Sequence, residues 1–312
     1  MRLRHFYLAS FALALAVALP SSTRAQSPAP STSPMALEAE ADQRALDAAL
    51  ASLRAGQYRE ALSQAENLAS RGNPKAAALA GSIYEQGLVD TAPPEAAVRW
   101  YRRAVTGGNS DAMLGLARLG LARKGGSNPG EALTMLQRAA ANGRKEALAP
   151  LGDLFLSGAA GPKDRTRAAS LYAQAAAFGD ADAAYAAGIL YADGDPDPMD
   201  DPLKAIGFLR QAAQAGRADA SADYGLMLYQ GRGVARDLKG AAQWFKTAAD
   251  GGDLDGAFYW ALVNAKGEGT PQNLELALQW ARVAKGSSPD ADRLLAQLEM
   301  IAAKPKPATS KP

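Results

Sequence analysis

The chain has 312 residues, 48% of them hydrophobic, with 34 Lys and Arg against 32 Asp and Glu, a single histidine, His5, and no cysteine. Without an imidazole beyond residue 5 and without any thiol, the folded part has no Ser-His-Asp or Cys-His nucleophile, no His/Cys zinc set and no disulfide staple, so its stability rests on packing. Setting aside Arg2, Arg4 and Arg24, which share residues 1–25 with no acid, the net charge is −1; setting aside also the tail lysines Lys304, Lys306 and Lys311 it is −4, which argues against nucleic acid as a partner.

The chain opens on the basic Met1-Arg2-Leu3-Arg4-His5, continues through an apolar run from Phe6 to Leu19 and reaches Pro20. That run is shorter than the roughly 20 residues that span a bilayer, and Thr23-Arg24-Ala25 places small residues where a signal peptidase needs them. The expectation is a signal peptide over 1–25 cleaved after Ala25, a periplasmic or secreted location, and no membrane span in the mature chain. Residues 26–35, rich in Ser and Pro, read as a disordered tether. Residues 36–70 read as an N-terminal capping helix pair, with Ala61 lying 36 residues before Ala97.

From residue 71 to 286 the pattern repeats. Ala104, Ala140, Ala175, Ala212, Ala248 and Ala284 stand 35 to 37 residues apart, each four residues after Trp100, Leu136, Leu171, Phe208, Trp244 or Trp280. One helical face therefore pairs a bulky side chain with a small one at i and i+4. Half a repeat earlier runs a register of small residues alone: Gly81, Ala117, Gly152, Gly188, Gly225 and Ala261. Glycine inside a helix costs roughly 1 kcal/mol against alanine, so its recurrence implies a second helix pressed against it. First helices end at Gly87, Gly158, Gly194, Gly231 and Gly267; second helices start at Pro93-Pro94, Pro129, Asp164, Asp201-Pro202, Asp237 and Asn273. They stop at Gly107 or Gly108, Gly143, Gly179, Gly216, Gly251 or Gly252, and Gly286, and Asn109, Asp180 and Asp253 cap the next first helix. The spacing predicts six two-helix units, about 71–108, 109–143, 144–179, 180–216, 217–252 and 253–286. Pro289 to Ala303 reads as a capping helix with Leu294, Leu295, Leu298 and Ile301 on its apolar side, and 304–312 as a disordered Lys/Pro tail.

These residues resemble the Sel1-like repeats (SLR), the 36-residue branch of the tetratricopeptide superfamily. The fifth unit carries the signature nearly throughout, with Ala220, Tyr224, Gly225, Leu228, Gly231, Gly233, Val234, Asp237, Lys239, Ala241, Trp244, Ala248, Ala249 and Gly251. The second and third units depart from it: Ala117 and Arg123 stand where glycines belong, and Pro150 falls inside a first helix. The resemblance implies an all-α, right-handed α-solenoid in which first helices line a concave groove. Tetratricopeptide groove positions, carried over at offsets −1, +2, +6 and +9 from each unit's first small residue, give Lys75, Ser82, Glu85, Arg118, Glu146 and Asp153 in the N-terminal units. In units four to six they give Tyr185, Ile189, Leu226, Tyr229, Phe258 and Leu262, an apolar and aromatic stripe rimmed by Asp182, Asp219 and Asp255.

Two motifs resemble ligand loops. Gly231-Arg232-Gly233 and Gly267-Glu268-Gly269 occupy interhelix turns with no strand before them and are read as structural rather than phosphate-binding. Asp193, Asp195, Asp197, Asp200 and Asp201 begin with the alternation of a calcium loop, but Pro198 stands at its glycine position and Lys204 at its bidentate glutamate, so a solvated acidic loop is expected. No acid stands in a sequence context that obviously raises its pKa. The expectation is an exported, non-enzymatic scaffold with no cofactor and no metal, holding a protein or peptide in the concave groove and organising an envelope or secretion complex. The alternatives are a cell-wall or β-lactam-related enzyme or ligand binder, like cysteine-rich SLR relatives, and an exopolysaccharide-export assembly factor.

Overall fold

The computed structural model describes residues 33–89, 93–192 and 200–303. The expected signal peptide, most of the tether, Asp193, Asp195, Asp197, Pro198 and the lysine-bearing tail lie outside these residues. Packing divides the chain into two units, Met1–Arg44 and Ala45–Pro312. The described part of the first unit is the beginning of one helix, with an exposed Glu40–Arg44 ion pair at i,i+4 and exposed Met35 and Leu37.

Among the described residues there are fifteen α-helices and no strand. The first two are α1 (Pro34–Arg54), which begins inside the stretch read as tether, and α2 (Tyr58–Ser70). Six pairs come next: α3 (Pro74–Glu85) with α4 (Pro94–Thr106), α5 (Ser110–Leu121) with α6 (Pro129–Ala141), α7 (Leu148–Ser157) with α8 (Arg165–Ala177), α9 (Ala181–Ala192) with α10 (Pro202–Gln214), α11 (Ala218–Gln230) with α12 (Leu238–Asp250), and α13 (Leu254–Lys266) with α14 (Leu274–Val283). The last is α15 (Pro289–Ala302). From α2 to α15 each helix packs on its neighbours in sequence, and first helices of adjacent pairs also meet, α3 on α5 and α11 on α13. That nearest-neighbour packing makes the second unit an α-solenoid. None of the described helices is long and apolar enough to cross a membrane.

Side-chain caps form at the predicted Asn109, Asp164, Asp180, Asp201, Asp237, Asp253 and Asn273, and at Asn73 and Asn128 besides. Asn73, Asn109, Asp180 and Asp253 accept backbone N–H bonds at the starts of first helices, and Asn128, Asp164, Asp201, Asp237 and Asn273 do so for second helices. Asn128 thus caps α6 while Pro129 occupies its first turn. Pro150 is accommodated because a short 3-10 turn, Lys145–Ala147, precedes α7 and leaves the proline near the helix start, where its missing N–H costs nothing. Arg123 takes the position of a glycine and keeps its left-handed backbone, φ 52°. Arg123→Gly is therefore expected to stabilise the array by about 0.5–1 kcal/mol, the left-handed penalty of about 1–2 kcal/mol being partly offset by glycine's greater unfolded-state freedom. Urea unfolding of the two proteins checks this, and an unchanged midpoint would show that Arg123 recovers its strain elsewhere.

The small-residue register has the cause inferred for it. A Cβ at Gly81 would lie 2.6 Å from Tyr101, at Gly152 2.7 Å from Tyr172, at Gly188 2.8 Å from Leu209 and at Gly225 2.9 Å from Phe245. The residue that fills the gap is thus the one after the signature bulky position: Tyr101, Tyr172, Leu209 and Phe245 are buried while Trp100, Leu171, Phe208 and Trp244 are half-buried. In the second unit the ladder runs through Ala139, fully buried, and not through the half-buried Ala140. Leu136 there fills the interior as Tyr101 does, one position off the sequence alignment. In α15, Leu294, Leu295 and Leu298 are buried as expected, but Ile301 is 46% exposed.

Candidate functional site

The six groove positions fall on three first helices: Tyr185 and Ile189 on α9, Leu226 and Tyr229 on α11, Phe258 and Leu262 on α13. All six are half-buried. Tyr185 and Ile189 pack with Tyr224 against Ala205, Leu209 and Met227. Leu226, Tyr229 and Phe258 pack against the cluster built on Phe245 and Trp260, and Phe258 and Leu262 against Leu294, Leu295 and Leu298 of α15. They therefore form three overlapping patches of half-buried side chains. Tyr229 is the most committed to structure. Its hydroxyl donates to Glu268 in the turn of the next unit, Arg236 lies over its ring at 5.4 Å, and the same Arg236 donates to its carbonyl oxygen at 2.9 Å.

In the N-terminal units the same row is charged and largely closed on itself. Glu85 accepts the Tyr101 hydroxyl at 2.5 Å and is gripped by both arms of Arg118, at 3.0 and 2.8 Å. Arg144 joins Asp111 to Glu146, Tyr172 donates to Asp153 at 2.6 Å, and Ser82 accepts from Gln86 at 2.7 Å. Lys75 is exposed.

The C-terminal rim repeats one of these bridges and then departs from it. Arg217, standing where Arg144 stands two units earlier, joins Asp182 to Asp219 and lies 4.7 Å over the Tyr185 ring. Asp255 has no such cation among the described residues. Inside the rim sits Asp223, half-buried on α11, whose carboxylate accepts the Tyr185 hydroxyl at 3.0 Å. Burial, reinforced by the fields of Asp219, Asp253 and Asp255, pushes its pKa up to about 6 despite that hydrogen bond. Beside it Tyr259, stacked on Phe245 at 4.9 Å and against Phe258 at 5.0 Å, has its hydroxyl pKa raised by burial and by Asp255, Asp223 and Asp290.

Asp223 corrects the expectation that no acid occupies a pKa-raising setting. Both it and Tyr259 stand at offset +3, which the carried-over groove positions skip; a lone aspartate between Ala222 and Tyr224 in an apolar first helix was the available signal. The acidic loop resolves in part. Asp200 pairs with Arg232 at 2.6 Å and Asp201 caps α10 and meets Lys204 at 2.9 Å, which are structural roles. The glycines of the two supposed phosphate loops serve packing: at Gly233 and Gly269 the backbone lies directly against the carbonyls of Pro202 and Leu238.

The Sel1 repeat matches six consecutive stretches of the chain, 74–109, 110–143, 145–180, 181–216, 218–253 and 254–285. No curated protein matches it. Among solved structures it is similar to c5321, described as a protective antigen of uropathogenic Escherichia coli with an SLR fold, at 21% identity and TM-score 0.64, over 89% of this chain and 67% of that one. It is also similar to a Sel1 repeat protein of Oxalobacter formigenes, at 24% identity and TM-score 0.59, over 77% of this chain and 96% of that one.

Proposed function

Since the chain belongs to the Sel1 repeat family, whose arrays generally serve as protein-interaction scaffolds, we propose that it is an exported, non-enzymatic scaffold that holds a protein partner on the first-helix face of units four to six and organises an envelope assembly. The observation that carries the reading is the contrast along one row of helices. The N-terminal positions are occupied by each other through Glu85–Arg118 and Asp111–Arg144–Glu146, whereas Ile189, Leu226, Phe258 and Leu262 keep open apolar surface. An apolar row with a polar rim fits an extended peptide or one face of a helix. The apolar Phe6 to Leu19 run and the absence of histidine and cysteine from residues 26–312 support export and a non-catalytic role.

The test replaces Leu226 and Leu262 together by serine. Partner capture from the source envelope is expected to fall by at least about tenfold with helicity retained, while Leu203→Ser on α10, at a side chain already 74% exposed, leaves it unchanged. Equal capture by all three proteins would remove the reading.

A further inference from the structure

The charge pattern of this face specifies its occupant more narrowly than an apolar row alone. Across units four to six the acids on or bordering the first-helix face are Asp182, Asp219, Asp223, Asp253 and Asp255, with Asp290 at the start of α15. Among the described residues two cations pair with these acids: Arg217, shared between Asp182 and Asp219, and Arg293, paired with Asp290. Asp253 caps α13 by accepting from Gly256 at 2.7 Å. Asp223 and Asp255 thus remain without a counter-ion among the described residues, next to a continuous apolar surface. Two aromatic rings, Tyr185 and Tyr259, stand beside Asp223, and Arg217 over Tyr185 shows that this face accepts a cation against an aromatic ring.

We propose that this face takes a peptide segment in which a lysine or arginine is flanked by apolar residues, the cation meeting Asp223 beside Tyr185 and Tyr259 and the apolar side chains lying over Leu226, Phe258 and Leu262. The proposal rests on the scaffold function proposed above and adds the chemistry of the partner. An incoming cation stabilises the negative charge that burial and like-charged neighbours disfavour on Asp223, so binding and ionisation of Asp223 are linked. The groups that face it from the packed elements are Tyr185 of α9, Arg217 before α11, Asp219 of α11, and Asp253, Asp255 and Tyr259 at and in α13. With the carboxyl titrating at about 6, affinity for a cationic segment rises as pH passes from about 5 to about 7.5.

The experiment measures fluorescence anisotropy of the full chain with three short synthetic peptides, leucine at helical spacing combined with lysine, with glutamate or with serine. The lysine peptide is expected to bind at least about tenfold more tightly than the glutamate peptide, with affinity rising several-fold between about pH 5 and about pH 7.5. Asp223→Asn keeps an acceptor for the Tyr185 hydroxyl. It is expected to bring lysine-peptide affinity down to that of the serine peptide and abolish the pH dependence. It also raises the thermal midpoint at neutral pH, because a carboxyl with a raised folded-state pKa loses stability as pH climbs from its unfolded value through about 6. A variant that is more stable yet blind to lysine cannot be a misfolded one.

Equal binding of lysine and glutamate peptides, or an unchanged lysine preference in Asp223→Asn, overturns the proposal. Serine-peptide binding that depends on Leu226 and Leu262 without any lysine preference overturns it while leaving the groove reading in place. A tenfold gain in lysine-peptide affinity on truncation after Ala303 would also overturn it, by assigning the face to the chain's own lysine-bearing tail.

Discussion

Phe245→Ala is expected to remove about 3–5 kcal/mol of stability, the range for emptying a fully buried phenylalanine site. Phe245 is 0% exposed and belongs to three helices at once. It rises from α12, fills the space that a Cβ at Gly225 of α11 would need, and stacks on Tyr259 of α13 with 23° between the ring planes. The residue facing it on α11 is glycine, with no side chain to fill the void, and the neighbouring Tyr229 ring, 6.3 Å away, is held by its own bond to Glu268. In a solenoid each unit is held by its neighbours, so the loss should appear locally and spread toward the C-terminus. Trp244, Trp260 and Trp280 all lie in the affected units and Trp100 does not. Tryptophan emission should therefore change at a lower urea concentration than helical circular dichroism. A loss below about 1 kcal/mol, or coincident transitions, would contradict this account of the packing.

Gly269→Ala is expected to cost at least about 2 kcal/mol. The left-handed backbone, φ 75°, penalises any side chain by about 1–2 kcal/mol, and the added Cβ would fall on the carbonyl oxygen of Leu238, which belongs to helix backbone and cannot rotate away. Gly286→Ala separates the two effects, since Gly286 shares the left-handed backbone, φ 80°, but has open space around its Cβ position. Its cost should be confined to the backbone penalty. Thermal unfolding of both variants measures the difference, and equal losses would mean that the approach of the turn to α12 is slack.

The repeat was legible because packing, which the fold needs in every unit, acts on residue size. Buried Ala212, Ala248 and Ala284 and the glycines under Tyr101, Tyr172 and Phe245 exist for one reason each, and a period of 36 exposes them. Local register was less legible where a unit departs from the period. Ala140 and Ala139 are equally small, so only the burial of Leu136 tells which one is inside. Pro150 conflicts with a helix by pattern alone, and the 3-10 turn before α7 removes the conflict by moving the helix start. Ile301 satisfies the amphipathic pattern of α15 but is exposed.

The candidate site was legible only in part, for a different reason. Groove positions carried over from tetratricopeptide repeats locate Ile189, Leu226 and Leu262, but the field that singles out Asp223 arises from α9, α11 and α13 together, so no single repeat contains it. Likewise Arg217 and Arg144 are 73 residues apart and play the same rim role, yet only contact shows that Asp255 lacks what Asp182, Asp219, Asp111 and Glu146 have.

The most direct test of the central claim places a photo-crosslinking side chain at Leu226 on the first-helix face, or at the exposed Thr247 on α12, in the full chain within its own envelope. The account predicts one protein adduct at Leu226, absent at Thr247 and lost when excess leucine-lysine peptide is added. Adducts of equal abundance at both positions, or a Leu226 adduct that the peptide does not displace, would contradict it.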